Sequence, residues 1–303
     1  MSTKRIVANS SRAAARAPRA AAGLGLVALA LAGGGALAAA PVAVGGGMPL
    51  APHRAVYDLS LADSSGGRAV TGVSGRIAYE FSGDACTGYS LDFRQLAILE
   101  RSEGEAQQID IRSATHEEAD GSSFRFRQDT ARGDADERVQ GVAKRTGAAS
   151  DAGISVSLTR PERKAFEAAG PVAFPSGHLQ RIIAAARAGE STLAVKLYDA
   201  AEDGAKVFDT FVVIGKKAAP SPDRPIEDAA RKAGLDKVDR WPISVSYYTP
   251  GSGERTPIYA IAFDLYENGV SGSMRMNYGD FSIRGELRTL EQRGTGACAS
   301  GRK

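Results

Sequence analysis

Histidines are the first side chains to consider for catalysis, because their charge changes near neutral pH. The chain of 303 residues has three of them, His53, His116 and His178. About sixty positions separate each from the next. No two have the i, i+4 spacing by which a helix presents two imidazoles to a metal. We therefore expect all three to be surface or packing residues.

The sequence also lacks the loops that mark other enzyme classes. It contains no G-x-S-x-G nucleophile elbow, and Ser74 and Ser271, in two GVSG segments, are expected to face solvent. It contains no Walker loop and no G-x-G-x-x-G motif before a helix, so the usual phosphate cradles are missing. We predict no enzymatic activity, no cofactor and no metal. The alternative is an unrecognised hydrolase, whose pocket would bring polar groups together around a histidine.

The N-terminus has the order of a secretory signal peptide. A basic segment without acidic residues precedes the short apolar run AAAGLGLVALALA, and the small-residue site Ala36-Leu37-Ala38 follows. The run is shorter than the ~20 residues that span a bilayer, so an uncleaved anchor is the less favoured alternative. We predict a cleavable signal peptide over residues 1–40, an irregular leader over 41–52 and a single periplasmic all-β domain over 53–299.

Removal of that segment changes the charge of the protein. The whole chain has 38 basic and 35 acidic residues. Five of the basic residues precede the predicted cleavage site, so the mature chain has 33 − 35 = −2. A nearly neutral protein is not a candidate for nucleic-acid binding. No second long apolar run follows, so we predict no transmembrane segment in the mature chain.

Cysteines are the other reactive side chains, and the chain has two, Cys86 and Cys298. No C-x-x-C redox motif is present, and two cysteines in an exported chain are most simply explained as one structural disulfide. A bridge across about 212 positions would stabilise the fold by on the order of 5 kcal/mol in the loop-closure account. A catalytic redox role is the less favoured alternative.

Alternation of apolar and polar residues organises most of the chain. From Trp241 to Leu290 it predicts four half-buried strands, and Asn268-Gly269 should join the second and third as a hairpin. Nine further short segments between His53 and Gly215 share this pattern, which gives about 13–14 strands in total. Regularly spaced, hairpin-linked strands indicate an all-β domain with a long antiparallel sheet.

Two segments have helical periodicity instead. In FPSGHLQRIIAAARAGE we expect Ser176 to be the N-cap and Gly189 to end the helix, and RPIEDAARKAG predicts a second, shorter helix that ends at Gly234. The first helix could pack on the apolar sheet face and leave a cleft, or it could fill that face as ordinary core. The candidate residues for lining such a cleft are Leu179, Ile183, Met274 and Met276.

The segments FPSGHLQRIIAAARAGE and RWPISVSYY, the exported leader and one cysteine near each end of an all-β chain together resemble the cell-envelope-integrity EipB family of periplasmic proteins. The resemblance covers roughly His53 to Cys298. It implies a periplasmic location and a β-spiral, in which a long antiparallel sheet curls into an incomplete barrel. It also implies a disulfide between the N- and C-terminal parts, here Cys86 to Cys298. The family supplies no catalytic residues to carry over.

We therefore expect a non-enzymatic periplasmic protein that is required for cell-envelope integrity and acts by binding an envelope protein or lipid component. The alternative is a periplasmic carrier for a lipid or a lipoprotein acyl chain, since the spiral is similar in outline to lipoprotein carriers. Similarity of shape alone does not transfer function.

Overall fold

The computed structural model describes residues 48–65, 70–147, 152–219, 225–251 and 256–294. The predicted signal peptide, most of the predicted leader and Cys298 lie outside these residues. Residues 48–52, the described end of the leader, form neither helix nor strand, yet the side chain of Leu50 is buried. The Leu50 N–H donates a hydrogen bond to the Tyr89 hydroxyl oxygen at 3.0 Å. The backbone is therefore attached to the sheet before the first strand begins.

The described residues form one sheet of fifteen strands, which curls into a nearly closed barrel. In chain order, β1 to β15 are His53–Ser64, Val70–Asp84, Gly88–Arg101, Gln107–Glu117, Ser123–Arg132, Ala135–Arg145, Ile154–Arg160, Lys164–Ala168, Val172–Ala173, Thr192–Leu197, Phe208–Ile214, Arg240–Tyr248, Tyr259–Tyr266, Ser271–Asn277 and Phe281–Gln292. The first strand, β1, lies at the centre of the sheet beside the last, β15. From β1 the sheet continues through β2 to β8, and from β15 it continues through β14 back to β9. The all-β prediction of a long, curled antiparallel sheet is confirmed.

Hairpin connections explain why almost every neighbouring pair is antiparallel. Only β9 pairs in parallel, with β10, because the helix α1 (Pro175–Arg187) intervenes between them. The predicted Asn268-Gly269 hairpin is confirmed: it joins β13 to β14, and Gly269 has φ of 90°, a value that favours glycine. The pairing of β1 with β15, from His53 opposite Gln292 to Ser64 opposite Phe281, joins the two ends of the domain through backbone hydrogen bonds.

The two strands that the alternation pattern missed are the two edges of the sheet. The strand β8, Lys164–Ala168, is mostly exposed, and β9 has two residues, so neither carries enough apolar periodicity to be recognised. The predicted total of about 13–14 strands is therefore too low by these short edges.

Both predicted helices are present, with different ends from those expected. The helix α1 spans Pro175–Arg187, with Phe174 and not Ser176 as its N-cap, so that part of the prediction was wrong. Gly189, with φ of 77°, follows the helix end as expected. The helix α2 spans Asp228–Lys232 and is followed by a 3₁₀ turn at Leu235–Lys237. It is shorter than predicted, since its N-cap is Glu227 and Pro225 remains outside it.

Side chains on the inner face of the sheet form the core. Helix α1 buries Ile182, Ile183 and Ala186 in one apolar cluster with Trp241 and Ile243 of β12. Helix α2 contributes to a second cluster with the central strands β1, β2, β14 and β15. The inner face is therefore covered by two helices on different parts of the sheet.

A third cluster lies where the two sheet edges approach each other. Tyr198, which is fully buried after β10, contacts the rings of Phe126 on β5 and Phe166 on β8 edge to face. Arg145, at the end of β6, donates hydrogen bonds to the carbonyl oxygens of Val172 on β9 at 2.6 Å and Gly121 at 3.1 Å. The two edges of the sheet are not paired as strands, and side-chain contacts connect them instead. We call this contact region the seam.

Candidate functional site

The three histidines occupy separate places in the fold. His53 is buried on β1, where its Nδ1 donates a hydrogen bond to the Ala51 carbonyl oxygen at 2.8 Å. His116 lies half-buried on the outer face of β4, and its Nδ1 is 2.8 Å from the Ser90 hydroxyl oxygen. His178 is buried on α1. The histidines do not converge, so the pocket expected of a hydrolase gains no support from them.

His178 has a well-defined proton arrangement. Its Nε2 is 3.1 Å from Thr210 Oγ1, and that hydroxyl donates its own proton to the Val195 carbonyl oxygen at 2.6 Å. Thr210 Oγ1 must therefore accept a hydrogen bond from His178 Nε2–H, which fixes the tautomer of the neutral imidazole. Burial, and secondarily the charge of Arg181, lowers the pKa of His178 to about 4. The residue attaches α1 to the sheet as a neutral donor, which is a structural role.

Glu117 holds the beginning of the same helix. Its carboxylate, on the inner face of β4, accepts the N–H groups of Ser176 at 2.7 Å and Gly177 at 3.1 Å. These are backbone donors of the first helical turn that have no partner within the helix. Burial raises the pKa of Glu117, while the two hydrogen bonds act in the opposite direction. The carboxylate supplies the cap that we expected from Ser176.

The four candidate ligand-lining residues do not form one surface. Ile183 and Met276 are 0% and 3% exposed, and they belong to different apolar clusters. Met274 is half-buried beside the cluster of Met276, whereas Leu179 packs beside that of Ile183. A role for these residues in ligand binding stays a prediction.

A small cavity lies on the inner face near α1. Leu179, Tyr79, Phe81 and Tyr89 contribute to its walls, and its volume is about 50 Å³. Pockets that bind small molecules have volumes of about 300–1,000 Å³. The helix therefore fills the inner face at this point, and an acyl chain does not fit without rearrangement.

A larger cavity lies on the outer face of strands β1 to β5, with a volume of about 420 Å³. Ala78 on β2 and Ala114 on β4 line it among much longer side chains, so the outer surface has a depression at these two methyl groups. We call this cavity the outer groove. Its charged walls consist of Arg54, Glu80, Asp92, Arg94, Arg112, Arg127 and Asp129.

Ion pairs hold most of these walls in place. Asp110 accepts Arg94 through two hydrogen bonds of 3.0 and 2.9 Å and accepts Arg112 at 2.9 Å. The two arginine side chains lower the pKa of Asp110 through these hydrogen bonds and their charge. Asp129 is shared in the same way by Arg127, at 2.9 Å, and by Arg138. Two carboxylates thus hold four guanidinium groups, and the groove walls as a whole carry four arginines against three carboxylates.

The sequence profile of the family described as EipB-like matches residues 45–293. The chain belongs to the EipB-like family. The chain is 35% identical over 254 residues to the cell envelope integrity protein EipB of Brucella abortus (strain 2308), which covers 83% of this chain and 88% of that relative.

A solved structure of similar fold agrees with this membership. The crystal structure of a beta-barrel-like protein of domain of unknown function DUF1849 from Brucella abortus superposes with a TM-score of 0.73 at 34% identity. The match covers 81% of this chain and 99% of that one. The family resemblance drawn from the helix and strand segments is confirmed.

Other features of this EipB-like chain bear on the earlier predictions. Because Cys298 lies outside the described residues, the bridge from Cys86 stays a prediction. No helix in the described ranges has both the length and the apolar composition to cross a bilayer. Among the same residues, no group of three or more histidine, cysteine or acidic side chains is arranged to hold a metal ion.

The outer groove was missed because its residues look ordinary in sequence. Charged residues such as Asp110 and Arg112 on β4, and Arg127 and Asp129 on β5, follow the alternation expected of a solvated strand face. Only the register between strands decides which of them become neighbours. The sequence signal for the groove is that alanines, Ala78 and Ala114, interrupt this charged face.

Proposed function

We propose that this EipB-like chain is a non-enzymatic periplasmic protein that maintains cell-envelope integrity by binding an envelope component in the outer groove. The envelope role is supported by the relative of 35% identity, which is named a cell envelope integrity protein. The periplasmic location is supported by the predicted signal peptide. The component is an envelope protein or a lipid.

The outer groove is the observation that carries the binding proposal. Its volume of about 420 Å³ lies within the range of about 300–1,000 Å³ that is usual for binding pockets. Its walls come from adjacent paired strands, so the sheet fixes the backbone positions of the residues that line it. The guanidinium groups of Arg112 and Arg127 retain donors that their shared carboxylates do not use.

The alternative proposal, a carrier for an acyl chain on the inner face, requires α1 to move. The present cavity there has a volume of about 50 Å³, and buried residues such as Ile183 hold the helix in place. We therefore place this alternative second. Native mass spectrometry tests this alternative, because a carrier purified from its own periplasm should retain a stoichiometric lipid.

Filling the groove tests the proposal in cells. The double variant Ala78→Gln, Ala114→Gln should be produced at the wild-type level but fail to restore detergent resistance to a strain that lacks the protein. The matched control is Ala131→Gln, which changes an alanine on the same outer face of β5 outside the groove. Full restoration of resistance by the filled variant would exclude the groove as the binding site. Failure of the control would show that the assay reports folding rather than binding.

A further inference from the structure

The strand register gathers three arginines around one alanine. Ala114 on β4 lies directly opposite Arg127 on β5, and Arg112 precedes it by two positions on the same face. Arg94 on β3 lies directly opposite Arg112. Directly opposite residues in an antiparallel sheet have Cβ atoms about 4.5–5.5 Å apart. All three arginines line the outer groove together with Ala114, and the carboxylates of Asp110 and Asp129 hold their guanidinium groups.

These arginines have N–H donors that make no hydrogen bond to the two carboxylates. A guanidinium has five N–H groups, and Arg112 uses one of them on Asp110, while Arg127 uses one on Asp129. The side chains of both arginines are more than half exposed, so the remaining donors can reach a ligand. The groove walls themselves carry four arginines against Glu80, Asp92 and Asp129, a charge of 4 − 3 = +1.

Phosphate is the oxyanion that fits donors from three directions. A carboxylate presents two oxygens in one plane, whereas a phosphate group presents more acceptor oxygens arranged in three dimensions. Arginine forks bind both groups in bidentate fashion. A polyanion such as nucleic acid does not fit, because it needs a basic surface much larger than a single groove in a nearly neutral protein.

A carboxylate beside the arginines further limits the kinds of ligand that could bind. Asp92 on β3 lies directly opposite Ala114 and also lines the groove. Within the described ranges of the chain, Asp92 makes no salt bridge. An acidic side chain next to a phosphate site repels a simple phosphate, but it can pair with a cation carried by the same ligand.

We propose that the outer groove binds the phosphoethanolamine headgroup of a membrane phospholipid. The phosphate lies above Ala114 between Arg94, Arg112 and Arg127, and the primary ammonium group lies at Asp92. This inference rests on the proposed function, because it names the chemistry of the envelope component. The occupant is a lipid in the membrane surface, not a soluble metabolite.

Sedimentation with vesicles tests the proposal on the mature protein. Phosphatidylcholine vesicles that contain phosphatidylethanolamine should bind the protein, and vesicles of phosphatidylcholine alone should not. Replacing Arg112 and Arg127 together by glutamine should weaken binding by on the order of tenfold for each charge removed. Arg76→Gln is the control, because Arg76 is an equally exposed arginine of the outer face that pairs with Asp58 outside the groove.

Asp92→Asn tests the amine contact separately. This variant should lose its preference for phosphatidylethanolamine over phosphatidylglycerol, whereas the wild-type protein should keep it. Unchanged lipid binding in the double arginine variant would overturn the proposal, and so would a wild-type preference for phosphatidylglycerol. Binding of free phosphoethanolamine without binding to any vesicle would overturn the membrane source. If vesicles do not bind but the groove-filled protein still fails in cells, the headgroup inference falls and the proposed function stands.

Discussion

Replacing His178 by glutamine should remove an acid-sensitive contribution to the stability of the fold. In the native protein the pKa of His178 is lowered to about 4, chiefly by burial. In the unfolded chain it returns to about 6.5. Between these values the unfolded state binds a proton that the native state does not, so stability falls as the pH falls through this window.

The magnitude follows from the two pKa values. At about pH 7.5 the histidine is neutral in both the native and the unfolded state, so its titration does not change the free energy of unfolding. At about pH 4.5 its titration should lower the free energy of unfolding by about 2.5 kcal/mol. Glutamine keeps a side-chain donor for the Thr210 hydroxyl oxygen but does not titrate. The variant should therefore lose about 2.5 kcal/mol less than the wild type over this interval.

Urea unfolding of both proteins at several pH values measures this difference directly. His116→Gln is the matched control, because it removes a half-exposed histidine from the outer face and leaves the interior unchanged. Parallel pH dependence of the wild type and His178→Gln would refute the account of α1 as a helix attached by a neutral, buried imidazole.

Three further predictions follow from the interior and the seam. Burial raises the pKa of Asp199 to about 6, so its negative charge destabilises the fold as the pH rises through that value. Asp199→Asn should therefore raise the melting temperature at about pH 7.5 but not at about pH 4. An equal rise at both pH values would contradict this prediction. Arg145→Met should lower the free energy of unfolding by about 2–4 kcal/mol and speed hydrogen exchange in β9, because it removes charged donors from the carbonyl oxygens of Gly121 and Val172. Unchanged hydrogen exchange would show that the seam closes without Arg145. Reduction of the predicted Cys86–Cys298 bridge should lower the melting temperature by several degrees. Cys86→Ser should lower it by the same amount without reductant. An unchanged melting temperature in both experiments would mean that no stabilising bridge exists.

The elements that sequence predicts well here are those with a strong local signal. Alternation along β12 to β15 and the Asn268-Gly269 turn each depend on neighbouring residues alone, and both were predicted correctly. The helix α1 was also predicted, because its apolar spacing and Gly189 are local features. The cap at its N-terminus was not, since Glu117 lies 59 positions before Ser176 in the chain.

The outer groove depends on a different kind of information. Arg112 and Arg127 are separated in sequence by a turn, and only the β4–β5 register places Ala114 opposite Arg127. A shift of one residue in that register would turn these side chains to the other face. Charged alternation therefore predicts a solvated face but does not reveal where that face forms a binding cavity.

Crosslinking in cells tests the central claim most directly. A photoreactive amino acid in place of Arg54, at the wall of the outer groove, is compared with the same amino acid in place of Arg76, which lies on the outer face away from it. The account predicts that irradiation joins an envelope component to position 54 and not to position 76, with the adduct identified by mass spectrometry. No adduct at position 54, or the same adducts at both positions, would contradict binding in the groove.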